Sequence, residues 1–123
     1  MIVAETLAGV LSAFDIGADG TLTNRRVWAT TWPHVPDGIA LNADGAVWLA
    51  NPVAPECVLI AEGGVVLDVI DTEQPCYACT LGGEDGRTLF MFTAPTSLAP
   101  ELGAPPMGKL LVSRVNVPHS GRP

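Results

Sequence analysis

Short apolar runs separated by Asp-Gly or Gly-Gly pairs recur along the chain, and this pattern limits the possible folds more than any other feature. Asp44-Gly45 lies between apolar-alternating runs, and glycine accepts the positive φ that tight hairpin turns demand. The same signal occurs at Asp19-Gly20, Gly63-Gly64 and Asp85-Gly86. The sequence therefore predicts a series of antiparallel β-hairpins.

The hairpin signals also repeat with a period. Asp44-Gly45 and Asp85-Gly86 lie about forty residues apart, and each precedes a similar strand, residues 46–50 and 88–92,. This is the spacing of propeller blades, each a four-stranded antiparallel sheet. We therefore predict an all-β chain built from such blades.

The repeat divides the chain into roughly two and a half blades. Propellers close with about four to eight blades, so we expect this chain to be part of a larger ring. The predicted divisions are the end of one blade (1–34), a complete blade (35–72), and a last blade (73–123) with a long exposed loop (95–108).

The first fourteen residues allow a second interpretation. Apolar residues there fall at helical spacing, which fits an amphipathic helix: Val3, Leu7, Val10, Leu11 and Phe14,. We favour two strands with a turn near Ala8-Gly9, because that arrangement continues the repeat.

Charge and composition restrict the partners and the compartment. The chain has 13 acidic and 6 basic residues, a formal charge of −7, and lacks a basic cluster, which argues against nucleic-acid binding,. The N-terminal segment lacks a positive n-region and Glu5 interrupts its apolar run, so neither a signal peptide nor a membrane span is predicted,. We expect a cytoplasmic protein that forms a homo-oligomer through exposed blade edges.

A further Asp-Gly pair, Asp37-Gly38, opens a strand instead of forming a hairpin turn. Pro36 fixes φ before it and Gly38 permits close backbone approach, so the Asp37 carboxylate would stand at a strand start, where propeller loops meet the channel,. A carboxylate there suits a divalent cation that polarises a carbonyl or activates water. The alternative is a solvated aspartate of an ordinary turn.

Other polar and thiol residues give weaker signals. Cys76-Tyr77-Ala78-Cys79 has metal or redox spacing, but three residues along a strand point the thiols to opposite faces,. A second such pair, needed for a four-sulfur site, is missing,. We therefore predict packed, reduced cysteines, a surface His34, and a turn role for Asn51.

These motifs in their order resemble the C-terminal blades of the regucalcin/gluconolactonase family. The residues that carry the resemblance are Pro36-Asp37-Gly38-Ile39-Ala40-Leu41, Asp44-Gly45-Ala46-Val47-Trp48-Leu49-Ala50 and Leu81-Gly82-Gly83-Glu84-Asp85-Gly86. The resemblance implies a six-bladed β-propeller and a metal-dependent hydrolase of sugar lactones or related esters.

The same resemblance implies roles for particular residues. The family holds one divalent cation, calcium or zinc, with a Glu, an Asn and an Asp, and the Asp matches Asp37. By resemblance, Asp37 is both metal ligand and general base, and the Glu and Asn ligands would lie in blades before residue 1.

Two functions of different classes follow. In the first, the chain is the C-terminal part of a metal-dependent lactonase-like hydrolase that uses Asp37. In the second, it is a truncated, catalytically empty propeller module that acts through self-association or partner binding. A single carboxylate binds calcium weakly, since affinity depends on the number and charge of the ligands.

Overall fold

The computed structural model describes residues 1–98 and 107–121, and these residues form mainly antiparallel β-strands. In the two described ranges the only helical segment is a 3-10 turn, Thr6–Ala8. The strands are Ile2–Glu5 (β1), Val10–Ile16 (β2), Leu22–Thr30 (β3), Ile39–Leu41 (β4), Val47–Asn51 (β5), Glu56–Ile60 (β6), Val66–Asp71 (β7), Cys76–Gly82 (β8), Thr88–Thr93 (β9) and Lys109–Arg114 (β10).

The ten strands form three antiparallel sheets in chain order. The first sheet is β1-β2-β3, the central sheet is β4-β5-β6-β7, and the third sheet is β8-β9-β10. Within each sheet, strands that follow one another in sequence are also hydrogen-bonded neighbours. This up-and-down order is that of propeller blades, and it confirms the all-β antiparallel prediction.

The predicted hairpin turns are present. Gly45 has a φ of +82° between β4 and β5, and Gly86 has a φ of +71° between β8 and β9. The side-chain oxygen of Asn42 also accepts hydrogen bonds from the amides of Asp44 (3.1 Å) and Ala46 (2.8 Å). The turn is therefore closed by a side chain as well as by the glycine.

The beginning of the chain forms two strands, which confirms the preferred interpretation over the helix. β1 and β2 are joined by the 3-10 turn, and Gly9, at φ +62°, donates its N–H to the carbonyl of Thr6 (3.2 Å). This reversal lets Glu5 pair with Val10. The apolar spacing that suggested a helix instead belongs to two adjacent strands.

Two apolar clusters hold the three sheets together, and alternate residues of β5 belong to different clusters. The first interface lies between the first and central sheets and contains Leu11, Ala13, Trp28, Ala29, Val47, Leu49, Val58 and Ile60. The second interface lies between the central and third sheets and contains Trp48, Ala50, Cys57, Cys76, Cys79, Leu81, Leu89 and Met91. The central sheet is thus covered on both faces.

Apolar side chains remain exposed on the outer strands. They include Val66, Leu67 and Val69 of β7, and Leu110 and Val112 of β10. Of the predicted loop, residues 99–106 lie outside the described residues. No helix in the described part of the chain is long and apolar enough to cross a membrane.

Candidate functional site

Asp37 lies two residues before the start of β4, at the junction between the central and third sheets. Its N–H donates to the carbonyl of Ala50 (3.0 Å), and the N–H of Gly38 donates to the carbonyl of Tyr77 (3.1 Å). The N–H of Ala50 returns a bond to the carbonyl of Gly38 (2.9 Å). Three backbone hydrogen bonds to two sheets therefore fix the peptide that carries the Asp37 carboxylate.

Gly38 is required at this junction because the strands approach so closely. A Cβ atom on Gly38 would lie 2.6 Å from the Cα of Ala78 and 3.1 Å from the carbonyl oxygen of Tyr77. Any larger residue would push β4 away from β8. The sequence predicted close backbone approach at Gly38, and the structure shows that the approaching segment is β8.

The Asp37 side chain is half-buried, and its environment favours the protonated form. Burial raises the pKa of Asp37, because removing a carboxylate from water disfavours its charge,. Its charge also reaches Cys76, where it opposes ionisation of the thiol. Asp37 is therefore a partly desolvated carboxylate beside the second interface.

The residues around Asp37 do not complete a metal site by themselves. Over residues 1–98 and 107–121, no three His, Cys, Asp or Glu side chains gather in a geometry that could hold a metal ion. Calcium takes six to eight oxygen ligands, and zinc usually takes three or four protein ligands. Asp37 is thus a single carboxylate at a place where a cation would need several donors,.

The orientation of Cys76 and Cys79 contradicts the prediction that their thiols point to opposite faces. A β-bulge interrupts β8 between Cys76 and Ala78, because Cys76 pairs with Thr93 and Ala78 with Phe92. The extra residue changes the alternation of side chains, so both thiols face the second interface instead of opposite faces,. The expectation that the cysteines are reduced and packed is confirmed, since all three are free and buried.

Cys57, on β6, is buried in the same interface as the two thiols of β8. The neighbouring Cys76 and Cys79 thiols, together with burial, raise the pKa of the Cys57 thiol. The neighbouring Cys57 thiol lowers the pKa of the Cys76 thiol. Cys79 donates to the carbonyls of Gly38 (3.4 Å) and Trp48 (3.6 Å). These contacts connect the thiol cluster to the backbone next to Asp37.

His34 takes part in a polar network that the sequence did not predict. Its Nδ1 lies 2.7 Å from Oε1 of Glu56, and the Asn51 amide donates to the same oxygen (2.7 Å). Asn51 is 1% exposed, and its own oxygen accepts the N–H of Val53 (3.2 Å), which confirms its turn role. The network ties the segment before Asp37 to the β5–β6 turn.

A separate pocket of about 370 Å³ lies along β4 and β8. Ile39, Leu41, Thr80 and Leu81 line its walls, and the segment from His119 to Gly121 borders it. The amide of His119 donates to the carbonyl of Gly86 (3.1 Å), which anchors this segment. Asp37 is not among the lining residues, so this pocket is distinct from the predicted site.

Known proteins resemble this chain in sequence and in structure. Residues 1–95 match the model of the SMP-30/gluconolactonase/LRE-like region. A 6-deoxy-6-sulfogluconolactonase of Pseudomonas putida is 32% identical over 111 residues, which cover 87% of this chain and 38% of the relative.

Three solved structures are similar. A luciferin-regenerating enzyme has a TM-score of 0.80 at 20% identity. The match covers 97% of this chain and 42% of the enzyme's chain. The calcium-binding protein regucalcin of Agrobacterium tumefaciens has a TM-score of 0.73 at 16% identity, over 98% of this chain and 43% of its own. A putative gluconolactonase has a TM-score of 0.72 at 21% identity, over 98% of this chain and 37% of its own.

The chain therefore spans about two fifths of the length of the proteins it matches. The structural likeness shows a shared propeller-like fold of antiparallel sheets. The family match covers most of the chain and confirms the resemblance that the Pro36-Asp37-Gly38 motif indicated. The chain belongs to the SMP-30/gluconolactonase/LRE-like family.

Proposed function

We propose that the chain contributes to a lactonase-like hydrolase that acts on sugar lactones or related esters, with Asp37 as its reacting carboxylate. The observation that carries the proposal is the fixed, half-buried position of Asp37 at the junction of two sheets. The family match and the gluconolactonase-type relative support the substrate class.

In this proposal Asp37 acts as a general base. Hydrolysis of a lactone adds water to the ring carbonyl and breaks the ring C–O bond, which gives a hydroxy acid. An oxygen of Asp37 would take a proton from the attacking water, and this proton would pass to the ring oxygen when the C–O bond breaks. Burial raises the pKa of Asp37, and a higher pKa makes its carboxylate a stronger base,. The backbone bonds of Asp37 and Gly38 would hold that oxygen in place.

Asp37 is also the proposed ligand of a divalent cation, calcium or zinc. No group of three His, Cys, Asp or Glu side chains that could hold such an ion lies among the described residues, and the Asp37 carboxylate does not fit the ion alone,. A complete site would need donors from other blades of the ring.

The wider architecture belongs to the same proposal. We expect a six-bladed ring in which residues 1–34, 35–72 and 73–123 contribute to successive blades. The described strands of each sheet all lie within one of these three ranges, which supports the division. A cytoplasmic location is supported by the three free cysteines, which a reducing compartment preserves,.

A second candidate is a catalytically empty module that associates through its blade edges. The exposed apolar residues of β7 and β10, such as Leu67 and Val112, favour it, because unpaired strand edges invite pairing with another chain,. In this case Asp37 would be an ordinary loop carboxylate, and its replacement would have no catalytic effect.

A chimera tests the proposal. Residues 1–123 would replace the aligned region of the Pseudomonas putida relative, and hydrolysis of its lactone would be followed by acid release. We expect an active chimera that Asp37→Asn slows by about 10²- to 10⁴-fold, as loss of a general base does.

Asp44→Asn is the matched control, because Asp44 is the aspartate of an exposed Asp-Gly hairpin turn. It should leave the rate unchanged. A chimera with a native-like circular dichroism spectrum that hydrolyses the lactone equally well with Asn at position 37 would contradict the proposal. A folded but inactive chimera would favour the second candidate.

A further inference from the structure

One carboxylate, that of Glu56, is shared by two side chains that lie close to Asp37 along the chain or in the sheet. Glu56 is the first residue of β6, and its Oε1 atom lies 2.7 Å from Nδ1 of His34. The amide of Asn51, the last residue of β5, donates to the same oxygen (2.7 Å). The side chains of His34 and Glu56 are only 20% and 22% exposed, so their contact is largely withdrawn from water. The proposed hydrolysis does not involve any of these three side chains.

We infer that Glu56 is a positioning residue, which holds the Asp37 carboxylate in the place that proton transfer requires. Glu56 acts through His34 and Asn51, and it does not itself contact the lactone. This role rests on the proposed function, since the carboxylate that Glu56 positions is the one proposed to react.

The His34 side of the network fixes the segment that leads into Asp37. The N–H of His34 donates to a carbonyl three residues earlier (2.8 Å), which closes a turn. Among the described residues, Val35 and Pro36 then take part in no backbone–backbone hydrogen bond. The contact between His34 and Glu56 is therefore the last polar anchor before Asp37 in the described part of the chain.

The Asn51 side of the network holds the strand end to which Asp37 is bonded. Ala50 accepts the N–H of Asp37 (3.0 Å) and donates its own N–H to the carbonyl of Gly38 (2.9 Å). Asn51 is the next residue, and it lies opposite Glu56 in the register of β5 and β6. The Glu56 carboxylate thus holds both the segment before Asp37 and the strand that accepts its hydrogen bond.

Fixed placement of Asp37 matters because general-base catalysis depends on hydrogen-bond reach. A base must lie within about 2.6–3.2 Å of the atom whose proton it takes. A displacement of about 1 Å by a distant substitution lowers a rate by as much as about 100-fold. Loss of the Glu56 contacts would free the segment before Asp37, while the bond from Gly38 to Tyr77 would still hold the other side. We therefore expect a lower kcat, with KM unchanged because Glu56 does not bind the substrate.

Hydrogen exchange tests the anchoring on the chain as it is, without any measurement of activity. By NMR, the amide proton of Asp37 should exchange about 3- to 10-fold faster in Glu56→Ala than in the parent, which is the effect of losing one hydrogen bond. His34→Ala should give a similar increase. Glu62→Ala is the matched control, because Glu62 is an exposed glutamate beyond the other end of β6. It should leave the exchange of the Asp37 amide unchanged.

The chimera with the Pseudomonas putida relative tests the consequence for hydrolysis. Glu56→Ala and His34→Ala should each lower kcat by about 10- to 100-fold and leave KM unchanged. The double variant should be no slower than Glu56→Ala alone, because His34 and Glu56 act through one contact. Glu56→Gln keeps an oxygen that accepts the same hydrogen bonds, so it should keep most of the activity. Glu62→Ala should have the activity of the parent chimera.

Circular dichroism would show that each variant is folded. If Glu56→Ala does not fold, His34→Ala gives the same test, since it removes the partner of Glu56 from the segment before Asp37.

Three outcomes would overturn the inference. The first is an Asp37 amide that exchanges at the parent rate in the alanine variants, and the second is full kcat in these variants while Asp37→Asn is slow. The third is a folded Glu56→Gln chimera as slow as Glu56→Ala, which would assign the effect to the charge of Glu56 and not to its hydrogen bonds. Full activity of the Asp37→Asn chimera would instead reject the proposed function, and with it a catalytic role for Glu56.

Discussion

The two faces of the central sheet differ in what they are made of. The first interface is wholly hydrocarbon and indole, with Leu49, Val58 and Trp28 among its members. In the second interface four of the eight buried members carry sulfur, and the backbones of β4 and β8 meet at Gly38. One strand, β5, serves both. The first face stabilises the fold, and the second combines packing with a fixed carboxylate and three buried thiols.

The largest expected difference between the two interfaces concerns stability. Leu49→Ala removes a fully buried side chain from the first interface and should lower the free energy of unfolding by about 2–5 kcal/mol,. Cys57→Ala, an equally buried change in the second interface, should cost about 1 kcal/mol, because only one sulfur is lost,. Urea unfolding of both variants measures this. Equal losses would remove the distinction.

The close approach at Gly38 gives the next largest effect. Gly38→Ala puts a Cβ atom 2.6 Å from the Cα of Ala78, so β4 and β8 must separate. We expect a loss of about 1–3 kcal/mol, the usual cost of overpacking. Gly121→Ala is the control, since no atom of the described residues lies within 4 Å of its added Cβ. Unfolding of Gly38→Ala that matches the parent would show that the junction is loose.

The smallest effect concerns the charge of Asp37. Because burial raises the pKa of Asp37, ionisation of Asp37 opposes folding, and the penalty grows as pH rises from the ordinary pKa through the raised one,. Asp37→Asn should therefore raise the melting temperature slightly at neutral pH, and the gain should vanish below about pH 3.8,. Thermal melts across this range test the sign, with the exposed Asp44→Asn as control. A lower melting temperature at neutral pH would contradict it.

Local chemistry explains why much of the fold was predictable. Asp-Gly and Gly-Gly pairs specify tight turns almost by themselves, so the hairpins closed by Gly45 and Gly86 could be placed from sequence,. The strand pair at the start of the chain followed from the repeat. The position of Asp37 before β4 followed from its proline and glycine neighbours.

Contacts between distant residues explain what was missed. His34 and Glu56 are far apart in sequence, and no local signal joins them. The bulge at Tyr77 reverses the side-chain alternation on which the prediction for Cys76 depended,. The residue spacing in the sequence does not indicate such an extra residue. The sequence also did not indicate that Gly38 packs against Ala78, because Ala78 lies on a strand of another sheet.

In the proposed hydrolase, the first interface serves stability, and Asp37, beside the second interface, serves catalysis. Hydrolysis and unfolding measured together on the chimera test this most directly. We expect Leu49→Ala to unfold more easily yet keep its kcat while folded, and Asp37→Asn to stay folded while its kcat falls by about 10²- to 10⁴-fold. An Asp37→Asn chimera with full activity, or a folded Leu49→Ala chimera without it, would contradict the account.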